Sequence, residues 1–193
     1  MSRRGTGMEA VAKIVGAGLV VVGGAVVTKR WYADQAASGT PKEQKVVRSF
    51  YERVVLVLGV RRVPRLYFAA VANAEYRSDQ HVVVINVSWF KQMLDFYCND
   101  DVCVQSVLLG ILAHELGHAL TTNIDRSTAA GRWRSELAAD WHAGRALASL
   151  GLPCDDLEHV IAHLSSHGSD THPPGHQRAE AIRQGYWRGL LTA

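Results

Sequence analysis

The chain has 193 residues, 48% of them hydrophobic and 20% charged, with a formal net charge of +3. That balance suits one globular domain with a modest extension and argues against a disordered or disulfide-scaffold protein. The basic residues are scattered and not interleaved with aromatic side chains, so no nucleic-acid surface is expected.

In chain order, the first feature is Ile14 to Val27, a stretch without a polar side chain. Arg3, Arg4 and Lys13 precede it; Lys29, Arg30, Trp31 and Tyr32 follow. As a helix this stretch reaches about 21 Å, short of the ~30 Å hydrocarbon core of a bilayer. Residues 10–28, with Lys13 snorkelling, reach about 28 Å. Residues 1–33 are therefore read as an N-terminal hydrophobic helix, a single-pass anchor in a lipid membrane. A cleaved export signal is the alternative, and a buried core helix the third reading. Positive charges flank both ends, so the side of the membrane stays open.

Residues 34–193 are read as a catalytic domain that starts with a short linker. Thr40, Pro41 and Glu43 form a capping-box start for a helix whose apolar face is Val46, Phe50, Val54 and Val57, ended by Gly59. Arg65–Val71 and His81–Val87 are β-branched and aromatic and predict strands, with a polar, turn-rich segment from Asn73 to Gln80 between them. Ser88 is placed as the cap of a short helix. Asn99, Asp100 and Asp101 open a long one that ends near Leu120. After a polar loop, helices are expected over 132–150, from Asp155 to Leu164, and after Pro174. The result is an α+β fold, mainly helical with a small β-sheet or hairpin. Of the three cysteines, Cys98 and Cys103 are close enough to be bridged in an exported chain. Cys103, however, falls inside a predicted helix, and the reading is three buried small apolar side chains.

The chemistry is concentrated in the long helix. His114-Glu115-Leu116-Gly117-His118 is an H-E-x-x-H motif. Residues four apart share a helix face, so both imidazoles can reach one ion. Glu115 lies about 100° around the helix, near the ion and off the ligand line. There it can move a proton from water to a leaving amine. On the next helix Glu136 and Asp140 are also four apart. A catalytic zinc takes three protein ligands and water, and His₂Glu is one such set, which makes Glu136 the third ligand. Asp140 can accept the second N–H of a ligand histidine. His159, His163 and His167 lie on a polar helix side and read as solvated, and His142, about 240° around the helix from Glu136, is not a ligand.

HELGH, then Glu136-Leu137-Ala138-Ala139-Asp140, then Thr171-His172-Pro173-Pro174 with Arg178 resembles the HtpX-type gluzincin metallopeptidases, the family that includes the CAAX prenyl proteases and membrane and periplasmic quality-control proteases. Asn73-Ala74 ahead of a strand is similar too. The resemblance implies a zincin-like domain with one Zn2+ on His114, His118 and Glu136, Glu115 as acid and base, and Asp140 behind a ligand. His172 and Arg178 match the family's downstream His-Pro and Arg positions near the active site. Family members have several membrane spans and this chain has one candidate, so it resembles a minimal, single-anchor form.

Chemically, His172 or Arg178 can supply the donor that a tetrahedral oxyanion needs, or pair with a ligand carboxylate. The strand His81–Val87 is either an edge that pairs with extended substrate or a purely structural strand. These features predict a membrane-associated zinc endopeptidase acting on polypeptide. A tethered module with structural zinc and a zinc hydrolase of non-peptide amides are the rivals.

Overall fold

Capping side chains decide where this chain becomes helical. In the computed structural model, which describes residues 38–192, Thr40 Oγ1 accepts the Glu43 N–H at 3.3 Å while Glu43 Oε2 accepts the Thr40 N–H at 2.7 Å. Helix α1 spans Pro41–Leu58 and closes on Gly59 at φ 65°. The expected segment at residues 10–28 lies outside the described residues. The residues that α1 buries are Val47, Tyr51, Val54 and Leu58; of the expected Val46, Phe50, Val54 and Val57, Val54 is fully buried, Phe50 and Val57 pack half-buried against the core, and Val46 is 46% exposed. Both sets have helical spacing. Tyr51 tips the choice because its hydroxyl donates to the Pro64 carbonyl at 2.7 Å, so the ring can be buried without an unpaired hydroxyl.

Three short strands follow: β1 (Arg65–Phe68), β2 (Ala74–Arg77) and β3 (Val82–Ile85). Their order is β1-β3-β2, with β3 parallel to β1 and antiparallel to β2. Strand β2 falls in the segment expected to be a turn. Only Ala74 and Tyr76 mark its buried side, too few residues for an alternation to register, while Glu75 and Arg77 pair with each other. The strand expected at His81–Val87 is the central one and is buried on both faces, so it is not an edge. The edge nearest the functional helices is β2. The Asn86 N–H to Asn73 carbonyl bond continues the β2–β3 ladder. By the antiparallel alternation, the backbone groups of Ala74 and Tyr76 therefore point to the open side.

Helix α2 (Val87–Tyr97) is capped by Asn86, whose Oδ1 accepts the Trp89 N–H at 3.0 Å, and not by Ser88. Helix α3 (Asp101–Leu120) is capped by Asp100. At the corner between them Cys98 and Cys103 are joined in a disulfide with Cα atoms 5.3 Å apart, which corrects the expectation of three unpaired cysteines. Cys103 lies in the first turn of α3, close enough to the corner to reach back across it. Cys154 is free and buried. Helix α3 is long and apolar enough to cross a membrane, yet it is the central element of the domain: Val107, Leu109, Leu112, Ala113 and Leu116 are fully buried.

Helices α4 (Ala129–Ser149), α5 (Asp155–Leu164) and α6 (Gly175–Leu190) complete an α+β domain that is mainly helical. Their backbones touch at glycines. A Cβ on Gly117 would lie 2.8 Å from the Ala139 Cα, and one on Gly144 would lie 1.9 Å from the Ile182 carbonyl oxygen. These contacts bring α3, α4 and α6 together around one point. Gly185, whose added Cβ would lie 1.9 Å from the Trp141 carbonyl oxygen, tests the arrangement. Helix propensity alone favours alanine over glycine by ~1 kcal/mol, whereas overpacking costs about 1–3 kcal/mol or more. Gly185→Ala is expected to lower stability by about 1–2 kcal/mol in urea unfolding; a variant more stable than wild type would contradict the tight α4–α6 crossing.

Candidate metal centre

The close approach of α3 and α4 at Gly117 sets the face carrying His114 and His118 against the face carrying Glu136 and Asp140. His114 Nε2 lies 3.5 Å from Glu136 Oε2, and His118 Nε2 lies 3.3 Å from Glu136 Oε1. Each ring is held from behind: Asp140 Oδ1 is 2.8 Å from His114 Nδ1, and Ser135 Oγ is 3.2 Å from His118 Nδ1. With both Nδ1 atoms engaged, the Nε2 atoms are the ones left to face an ion. Their separations from the carboxylate match the ~3.4 Å between neighbouring ligands of a tetrahedral ion with bonds of ~2.1 Å. Glu136 Oε2 is buried and has no hydrogen-bond partner. A buried carboxylate oxygen left bare is costly, and a cation is what would satisfy it. His114, His118 and Glu136 thus form a group that can hold a metal ion.

Behind them is a second layer of charge. Arg178, buried at the start of α6, donates to Asp140 through Nε at 2.8 Å and Nη2 at 2.9 Å, and to Ser165 Oγ through Nη1 at 3.0 Å. Its Nη2 also lies 3.7 Å from Glu136 Oε2. Burial pushes the Asp140 carboxyl up, but His114 and Arg178 outweigh it and hold the group below its ordinary range. Burial likewise raises Glu136, and the two imidazoles more than reverse this. In the metal-free protein His114, between two carboxylates, is pushed up to about 10 despite its burial.

The other expected residues converge on the same place. Glu115 is 6% exposed and borders a cavity of about 500 Å³ beside His114. Trp89, Ile111, Leu157 and Ile161 make an apolar wall of this cavity; Ser165 to Ser169 and His172 make a polar one. His172, with a half-exposed side chain, points Nε2 at Glu136 Oε2 from 3.5 Å. Burial and the cations around it lower its pKa despite Glu136. Four contributors are not marked in the sequence: Ser135, Ser165, Arg126 (Nη2 3.8 Å from Glu136 Oε1) and Ser169, which holds the turn bearing Thr171 and His172. Serines and a loop arginine carry no spacing signal, and only the folded chain brings them to the site.

His159 and His163 are exposed and stand beside Tyr97, whose hydroxyl is 3.1 Å from His163 Nδ1; the exposed His167 borders the cavity. His142 stays out of the ligand group, and burial lowers it to about 4. Cys154, Asp155 and Glu158 also cluster, but the Cys154 thiol donates to Glu158 Oε1 at 3.1 Å and Arg183 pairs with Oε2, so those acceptors are already matched.

No protein family, curated protein or solved structure matches the chain.

The charge balance predicts a pH signature. A histidine raised from 6.5 to about 10 stabilises the metal-free fold fully below pH 6.5 and loses that contribution as pH rises through about 10. Glu136 and Asp140, both held low, contribute above the carboxylate range and lose it in acid. A bound cation replaces the His114 proton, so the Tm of the metal-loaded protein should hold between pH 7 and 10 while that of the EDTA-treated protein falls. Circular dichroism melts read both, and parallel profiles would contradict the assignment.

Proposed function

We propose that the chain is a zinc-dependent endopeptidase, the reading its resemblance to HtpX-type metallopeptidases also implies. The observation that carries it is the convergence of two back-supported imidazoles on a bare, buried carboxylate oxygen, with Glu115 beside them on a cavity wall. Two imidazoles and one carboxylate suit zinc. When bound, that ion would polarise the scissile carbonyl and acidify the attacking water.

The chain's own residues do the rest. Glu115 takes the proton from water and delivers it to the leaving amine. His172 stands where a donor can meet the developing oxyanion. Arg178 acts through Asp140, because its donors are spent on that carboxylate and on Ser165. An extended polypeptide can add to the open edge of β2, where Ala74 borders the cavity. The Cys98–Cys103 disulfide supports an oxidising compartment, hence a domain outside the cytoplasm, tethered through residues 10–28.

One observation favours a second reading, a structural metal site closed by four protein ligands: His172 Nε2 is as near Glu136 Oε2 as His114 Nε2 is. Glu115→Gln separates the two. It should lower casein hydrolysis by about 100-fold or more while zinc stays at one per chain by atomic absorption. Equal hydrolysis by variant and wild type would sink the mechanism.

A further inference from the structure

The turn Ser169-Asp170-Thr171-His172 is held more firmly than an exposed loop requires. Trp133 Nε1 and Arg132 Nε, both on α4, donate to the carbonyls of Ser169 and Asp170 at 2.8 and 3.1 Å. The Ser169 N–H donates to the His172 carbonyl at 2.7 Å, closing the turn on itself. The helix that carries Glu136 therefore also fixes the place of the His172 ring.

Within that turn the hydroxyl protons can be assigned. Ser169 Oγ accepts two backbone N–H groups, from Thr171 at 3.2 Å and His172 at 3.0 Å. A hydroxyl oxygen has two lone pairs, so only its proton remains to bond Thr171 Oγ1, 3.0 Å away. The Thr171 hydroxyl next meets His172 Nδ1 at 2.9 Å and can donate to it. On the far side of the ring, Nε2 faces the bare Glu136 Oε2 at 3.5 Å. An N–H there faces an acceptor, whereas a lone pair there would face another lone pair. Both sides of the ring demand the same tautomer.

We infer that the Ser169 and Thr171 hydroxyls lock His172 with its proton on Nε2, making the ring a hydrogen-bond donor toward the metal centre and not a fourth metal ligand. Ser169 and Thr171 are positioning residues that act through His172. The inference rests on the hydrolytic reading for its purpose, since a donor there leaves one coordination position for water and substrate.

The test uses the full chain in detergent micelles, ¹⁵N-labelled, with EDTA at pH 8. Long-range ¹H–¹⁵N correlation, with His172→Gln to assign the signals, should show His172 Nδ1 unprotonated and Nε2 protonated. Thr171→Val, at an exposed position, should move the ring toward a mixture of tautomers, and Thr171→Ser should restore the wild-type pattern. Cobalt in place of zinc should give the same d–d spectrum in wild type and His172→Gln. With casein as substrate, Thr171→Val should lower kcat about tenfold at unchanged KM. A wild-type proton on Nδ1, no tautomer change in Thr171→Val, or a cobalt spectrum altered by His172→Gln would each overturn the inference. Absence of casein hydrolysis by wild type would instead overturn the peptidase reading, while the tautomer and cobalt results still decide the role of His172.

Discussion

Two carboxylates one turn apart, Glu136 and Asp140, are buried in the middle of this domain, and the surrounding structure answers their charge. Ionised groups leave water only when cations or donors replace it. Asp140 is matched in full, by a two-pronged Arg178 and by His114. Glu136 is matched in part: the Nε2 atoms of His114, His118 and His172 stand near it, and its Oε2 has no hydrogen bond. The difference between these neighbours separates a supporting position from a binding one.

That electrostatic requirement explains why the helices meet where they do. Arg178 reaches Asp140 because α6 lies in backbone contact with α4 at Gly144 and Gly185. The histidines reach Glu136 because α3 lies equally close at Gly117. Such approaches leave no room for a side chain, so packing and charge pairing depend on the same few small residues. Ser165, at the end of α5, adds the fourth element by accepting from Arg178. Four segments distant in the chain thereby share one polar cluster, and the cavity opens where the apolar packing of α3 and α5 gives way to it.

The periphery supplies access. Ala74, at the start of β2, borders the cavity, and so do Ser169 and His172 of the clamped turn. Both are short; the turn is exposed, β2 is buried to half-buried, and both are anchored to neighbouring secondary structure.

Much of this was legible without the fold. Helix starts with a local signature, such as Thr40 with Glu43 or Asp100 before α3, depend on neighbours within one turn. The four-residue spacings of His114 with His118 and of Glu136 with Asp140 follow from the helix repeat alone. The sequence alone therefore determined which helices form and which side chains could share an ion. Tertiary structure decided what local spacing leaves equal: that α1 buries Tyr51 more deeply than Phe50, that Ala74–Arg77 is an edge strand, that Cys98 meets Cys103, that Arg178 serves Asp140. It also set Ser135, Ser169 and Thr171 behind the imidazoles. Each of these depends on a partner distant in sequence or on a lone pair whose acceptor or donor is known only once the chain has folded, and periodicity carries no information about either.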